Sequence, residues 1–389
     1  MIKKVIQGTH VPAKLWLDRI ENSCLEQVIN LASLPFVFKH VAIMPDAHAG
    51  LGMPIGGVLA TKGVVIPNAV GVDIGCGMCA VKTNIHASNA DPTRLKRVLK
   101  GIRERVPLGF DHQQEPVDEK YLPDVDMETL PFLKNKRNAC LMQIGTLGGG
   151  NHFIEIQKDT QTGEVWVMLH SGSRNVGLNV AKHYGAVAKY WCQKWYADTC
   201  EGLEFLPIET AEAKDYFKEM NFCVEMAFQN RRAIMDRVKE ALCDVFPDVT
   251  FEPTINIAHN YAAWEHHYGQ NVIVHRKGAT RARAGEIGII PGSMGTKSYI
   301  VEGLGNKESF MSCSHGAGRA MSRTAALKNL SLADEARMMD EQGIVHGLRR
   351  GGLDEAPSAY KDITEVMANQ TDLVRPLVEL APLAVLKGD

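Results

Sequence analysis

Residues 151–171 read NHFIEIQKDTQTGEVWVMLHS. Two apolar-rich runs, NHFIEIQ and VWVMLHS, flank the polar, glycine-containing KDTQTGE, and this pattern predicts a β-hairpin. Working outward toward the N-terminus, CAVKTNI (79–85), PIGGVLATK (54–62), GVVIPNAV (63–70) and KHVAIMP (39–45) read as β-like runs. ENSCLEQVINLASLP (21–35) reads as a short helix. Residues 91–106 have helical period, with Asp91 as N-cap and Pro92 at the first helical position. Residues 108–138 are polar and irregular. Toward the C-terminus, 176–198 and 209–244 predict long amphipathic helices broken at Pro207. VIVHRKG, IGIIPG and KSYIVEGLG predict short strands between glycine turns, and the tail predicts helices near 332–342 and 362–379. Strands, hairpins and helices interleave without a regular βαβ beat. The expected class is therefore α+β: a single mixed-sheet domain over residues 1–389, with no internal repeat or linker.

Composition narrows the function classes. The chain is 45% hydrophobic and 23% charged, as in water-soluble globular proteins. No apolar run is long enough to span a bilayer, and MIKKVIQGTHVP lacks a signal-peptide core, so a cytoplasmic location is the expectation. Nine cysteines, most within helix-like or strand-like text, suit reduced buried thiols better than a disulfide framework. The formal charge of −2 gives no global sign of nucleic acid. Between Arg276 and Arg323, however, eight Lys/Arg face three acids, a local excess of +5 among glycine-rich turns. Such a stretch is a candidate phosphate surface, although most basic stretches are simply solvated faces.

Histidine is the most informative residue type. His48, His152, His170 and His259 all sit beside small or polar residues at the ends of β-like runs. A single such histidine is usually structural; four, with Asp73-x-x-Cys76, shift the balance toward a metal site. That mixed N/O/S set suits Zn²⁺, Mn²⁺, Fe²⁺ or Co²⁺. The apparent Cys76-x-x-Cys79 lacks both a thioredoxin-like βαβ context and a second Cys/His pair, so redox and zinc-knuckle readings are weak. In GTLGGGNHFIE (145–155), glycines would let backbone N–H groups approach phosphate, with Asn151 adding an amide donor. A bare triple glycine is more often a turn, but here His152 and Glu155 follow at once. In SCSHGAGRAMSR (312–323), His315 precedes Arg319 and Arg323 at i+4 and i+8. A histidine among such cations can attack phosphorus; by composition alone, an ordinary basic helix start is equally good.

In order along the chain, MPDAHAGLGMPIGG, GVDIGCGM, GTLGGGNHFIE, HSGSRNVG, HNYA, RKGATRARAG, GIIPGSMGTKSY, SHGAGRAMSR, AYKDI and LKG resemble the RtcB family of RNA ligases. The resemblance runs from about residue 34 to the C-terminus and is thin over 108–138 and 190–250. It implies GTP- and Mn²⁺-dependent joining of an RNA 3′-phosphate or 2′,3′-cyclic phosphate end to a 5′-hydroxyl end. By that resemblance, Asp73, Cys76, His152, His170 and His259 hold two Mn²⁺ ions, with Cys76 bridging, and His315 becomes guanylylated. Asn151 contacts the GMP phosphate, and Glu155, Ser298, Tyr360 and Lys387 form the guanine pocket. Ser293, Gly316, Ala317 and Gly318 line the nucleotide. Arg281, Arg283, Arg319 and Arg323 are candidates for RNA phosphates on charge alone. The expected function is RNA splicing or repair, through a histidine–GMP adduct and an RNA-(3′)pp(5′)G intermediate. The runner-up is a metal-dependent RNA phosphoesterase or nuclease, which would need the metal ligands but neither His315 nor a guanine pocket. A binding protein with a dead site would have lost its ligands. The motifs leave open monomer or dimer, an activating partner and the physiological RNA.

Overall fold

The computed structural model describes residues 1–388. The hairpin forms as read, from strands Phe153–Asp159 and Glu164–Ser171 in antiparallel register with Phe153 opposite His170. It lies inside a seven-stranded sheet, beside Gly77–His86 and Ile255–Ala258 on one side and Val374–Lys387, Ser298–Gly303 and Ile287–Ile290 on the other. A six-stranded sheet is built on Val37–His48, Ile55–Thr61 and the hairpin Asn260–His267/Gln270–Lys277. The mixed α+β class holds, with the strands in two large sheets and two small ones instead of one mixed sheet.

Side chains on the seven-stranded sheet alternate between two apolar clusters. Cys79, Val81, Ile154, Ile156, Val167 and Leu169 face the helices. Met78, Ala80, Phe153 and Met168 face the other way. This is the period-two pattern of a sheet covered on both faces. Helix Pro92–Arg105 starts at Asp91, whose carboxylate accepts from the backbone of Thr93 and Arg94. The long helix Ala211–Cys243 joins two cores: Tyr216, Met220, Phe222 and Met226 enter one, while Ile234, Met235, Val238 and Leu242 pack beneath the sheet. Each such fully buried side chain contributes roughly 1.5–3 kcal/mol.

Differences from the sequence reading include three in or beside the sheets. GVVIPNAV is a strand only at Val64–Val65 and then turns through a short 3₁₀ helix at Pro67–Ala69, where proline's fixed φ favours the turn. Residues 255–267, where the sequence reading marks only His259 at the end of a β-like run, form two strands that meet at His259. The predicted helix over 362–379 ends at Ala368, and Val374–Lys387 is a strand. Pro376 and Pro382 cannot continue a helix, and the ladder shifts register beside both, so each proline occupies an irregularity in the sheet. Among the described residues no helix is long and apolar enough to cross a membrane.

Candidate active site

Sheet register brings together side chains far apart in sequence. Ala258 pairs with Gly77, Gly77 with Ser171, and His170 with both Met78 and Phe153. His259, Cys76, His170 and His152 therefore sit at the same edge of four adjacent strands. Gly77 allows this close approach: a Cβ there would lie 1.9 Å from the Ile257 carbonyl oxygen. At Gly172 a Cβ would lie 2.2 Å from the Asp73 carboxylate, so glycine leaves room for that side chain.

The donor atoms converge. Cys76 Sγ lies 3.1 Å from His170 Nε2 and 3.5 Å from His152 Nε2. His170 Nε2 is 3.3 Å from His259 Nε2, and His152 Nε2 is 3.1 Å from Asp73 Oδ2. Two triads result, Asp73/Cys76/His152 and Cys76/His170/His259, each with its ligand atoms within 4.8 Å of one another and both containing Cys76. Nδ1–H of His152 donates to the Leu147 carbonyl at 2.9 Å, and Nδ1–H of His170 donates to the Asn151 carbonyl at 3.1 Å. Those bonds select the tautomer that turns each Nε2 lone pair toward the cluster. Burial and neighbouring imidazoles hold His170 and His259 well below the usual histidine range, hence neutral. Burial pushes the Cys76 thiol up, reinforced by Asp73. Burial would also raise Asp73, but its close contact with His152 outweighs this and holds the carboxyl below its ordinary value. Neutral imidazoles, a carboxylate and a thiol at one buried point fit a divalent cation, which would favour the thiolate.

His315 stands next to this cluster, its ring 4.8 Å from that of His259. Asp46, fully buried, places Oδ2 2.7 Å from His315 Nδ1 and also accepts from the backbone N–H of His315 and Gly316. With Nδ1–H donated to Asp46, Nε2 is the ring atom left with a lone pair. His315 and the metal cluster open into a cavity of 570 Å³ that extends to Lys387. Asn151, Glu155, Ser293, Gly316, Ala317, Gly318 and Tyr360 line it. Ser298 stands behind the wall, its Oγ accepting from Gly292 N–H at 3.1 Å and from Gln157 at 3.1 Å. Glu155 is buried, which raises its pKa to about 7 against the opposing effects of Gln157 and Lys387.

Of the basic candidates, Arg319 and Arg323 line the cavity, whereas Arg281 and Arg283 lie outside its lining. Arg281 forms a two-pronged pair with Glu286, at 2.6 and 2.9 Å. Arg319 and Arg323 fold onto Asp354 and Glu355. Glu355, buried and outside every motif read above, also meets Lys387 at 3.4 Å and accepts from the Tyr360 hydroxyl. Three cations thus surround two carboxylates, leaving one positive charge in excess at this wall.

The sequence reading missed four further residues. Asp46 sits in a motif noted there only for His48. Lys277, in the cavity wall, donates to the carbonyls of Leu51 at 2.6 Å and Asn68 at 3.1 Å, and burial lowers its pKa to about 8. Asn230 and Arg231 lie on the long helix where motifs are thin. Asn230 accepts from Gly145 N–H at 2.7 Å and donates to Gly172 O at 2.9 Å. Arg231 donates to Gly75 O at 2.9 Å and Ser171 O at 3.0 Å. Together they pin the segments that carry Asp73, Cys76 and His170. Two adjacent polar residues on a buried helical stretch were the available signal.

The family described as "tRNA-splicing ligase RtcB" matches residues 27–132 and 125–388. "RNA-splicing ligase RtcB" of Escherichia coli K12 is 41% identical, with 99% of each chain covered. "tRNA-splicing ligase RtcB" of Methanococcus maripaludis is 31% identical, over 97% of this chain and 95% of its own. With a match along nearly its whole length and its motifs gathered at one cavity, this chain belongs to the RtcB family.

Proposed function

We propose that the chain is a GTP-dependent RNA ligase, acting as one catalytic domain, that joins 3′-phosphate or 2′,3′-cyclic phosphate ends to 5′-hydroxyl ends. The observation that carries this reading is the Asp46–His315 pair, with Nε2 free beside the Cys76-centred donor cluster. A metal-dependent phosphoesterase, whose nucleophile is a metal-activated water, needs no such oriented imidazole. Asp73, Cys76, His152, His170 and His259 would hold two Mn²⁺ ions, with Cys76 common to both. Bound there, the metal supplies positive charge that stabilises phosphoryl oxygens.

His315 Nε2 attacks the α-phosphorus of GTP, forming a P–N bond as the bond to pyrophosphate breaks. Asp46, accepting from Nδ1–H, stabilises the positive charge that develops on the imidazole. An RNA 3′-phosphate oxygen then takes the GMP, which breaks the P–N bond and restores the neutral ring. Attack of the 5′-hydroxyl on the RNA phosphate expels GMP, a far better leaving group than the hydroxide a bare monoester would have to lose. A cyclic phosphate is first opened by water. Glu155, ionised, offers two acceptor oxygens to the N1–H and amino group of guanine, with Tyr360 against the base and Lys387 closing the pocket. Ser298 acts through Gly292 and Gln157. Arg319 and Arg323 exchange their carboxylate partners for RNA phosphates.

Incubation with α-labelled GTP and Mn²⁺ should give an acid-labile label on the protein, and His315→Ala should give none. A wild type without label that nevertheless cleaves RNA phosphate esters would establish the phosphoesterase alternative.

A further inference from the structure

Beyond the Lys387 end of the main cavity lies a second cavity of 180 Å³, sharing Lys387 and Met294 with the first. Arg103, from the last turn of helix Pro92–Arg105, forms one wall with Leu108, and residues 346–349 form another. Those residues are held against the C-terminal strand by Val345, which donates to Leu383 O and accepts from Val385 N–H, both at 2.9 Å. Two of the basic side chains here are already engaged, Lys387 with Glu355 and His346 with Asp340. Arg103 and Arg349 are exposed and, among the described residues, take part in no ion pair. They contrast with Arg281, Arg319 and Arg323, all tied to carboxylates.

Two residues past Leu108 stands Phe110, 102% exposed, the most exposed large apolar side chain among the described residues. Its backbone is fixed: Gly109 N–H donates to Gly148 O at 3.2 Å, Arg174 donates to Gly109 O at 3.1 Å, and Asp111 N–H donates to Leu108 O at 2.9 Å. An anchored turn that presents a free aromatic ring two residues from the wall of a cavity lined by unpaired guanidinium groups has the ingredients of a sequence-tolerant single-strand site, in which bases stack on a ring and cations follow the phosphates. The glycine loop that anchors Phe110 leads directly to Asn151 at the main cavity, and Arg323 lies along it, 3.5 Å from where a Gly150 Cβ would be.

We propose that Arg103, Arg349 and Phe110 form a track for one of the two single-stranded RNA ends, running from the second cavity along the glycine loop to the main cavity. Phe110 stacks on a base, and the two arginines hold backbone phosphates. This rests on the ligase reading above. The test uses the full chain with Mn²⁺, GTP and two separate strands, one ending in 3′-phosphate and one beginning with 5′-hydroxyl. Phe110→Ala should raise KM for one strand about five- to a hundredfold, with the GMP label on His315 unchanged. Phe110→Trp should restore the KM and Phe110→Leu should not. Arg103→Ala/Arg349→Ala should flatten the slope of log affinity against log salt by about 1.4, two phosphates' worth for a single strand. Unchanged KM for both strands, or leucine serving as well as tryptophan, overturns the track while the label and joining persist. A wild type that neither takes label nor joins RNA overturns the ligase reading instead.

Discussion

The two ends of the main cavity are built on different principles. At the metal end, donor side chains sit where strands begin or stop, and backbone geometry sets their positions: Ala258, Gly77 and Ser171 are register neighbours, and His152 and His170 are oriented by main-chain carbonyls. At the base end, the wall is a web of side chains from distant segments, gathered by the single carboxylate of Glu355. The metal end should thus fail abruptly when one donor is lost. The base end should fail by degrees.

The largest contrast lies within one motif. Cys76→Ala removes the ligand common to both triads and should abolish the GMP label outright. Cys79, three residues on, faces the apolar core opposite Leu169, and its thiol is pushed up to about 12 by burial. Cys79→Ala should keep the label and lower stability by about 1 kcal/mol. Equal loss of label from both variants would restore the dithiol reading and erase the contrast.

Next in size is Asp46→Asn. The amide keeps the shape of the carboxylate but no longer favours Nδ1–H on His315 or stabilises its positive form. The rate of label formation should fall about 10²–10⁴-fold. GTP binding, measured separately, should be retained. A rate within threefold of wild type would show that the ring needs no carboxylate.

Glu355→Gln probes the base end. Arg319, Arg323 and Lys387 lose their shared anion, and the Tyr360 hydroxyl bonds to a neutral oxygen. Hydrogen bonds to charged groups are worth about 1.5–3 kcal/mol, so thermal stability should fall on that scale. KM for GTP should rise about tenfold, while metal uptake by the Cys76 cluster stays as in wild type. Loss of metal affinity in this variant would mean that the two ends are not separately built.

This division also explains what sequence could tell. His152, His170, His259 and Asp73-x-x-Cys76 are legible because strand ends and glycines leave local signatures around each donor. Glu355 is illegible because nothing near LDEAPSAY announces the partners that the fold brings to it. Asn230 and Arg231 vanish into the helical period of 209–244, where an amphipathic reading assigns polar residues to solvent; both are fully buried. The terminal strand was misread for a related reason. VRPLVELAPLAVLK has apolar spacing that a helix could use, and only its pairing with Phe153–Asp159 and Ser298–Gly303 shows that its prolines sit at sheet irregularities.

At neutral pH the effect expected to be smallest is a pH dependence confined to the base end, which grows only as the pH falls. Glu155 has its pKa raised to about 7 by burial, and guanine presents two donors that only the ionised carboxylate can accept together. GTP affinity should therefore weaken by up to about tenfold per pH unit below pH 7 and level off above it. Glu155→Gln should be weaker than wild type at pH 8 and nearly independent of pH. The measurement should be equilibrium binding without metal, because Cys76 must lose a proton to bind a cation and would add its own pH dependence at the other end. Folding gives an independent check of opposite sign. A carboxyl whose folded pKa lies above its ordinary value binds its proton more tightly when folded, so its contribution is fully present below about pH 4.5. It is lost as pH rises to about 7, on the order of 3 kcal/mol in all. Glu155→Gln should remove that part of the stability profile. If the variant keeps the wild-type slope in both experiments, the carboxylate is not the group that reads guanine, and the base end depends on Tyr360 and Lys387 alone.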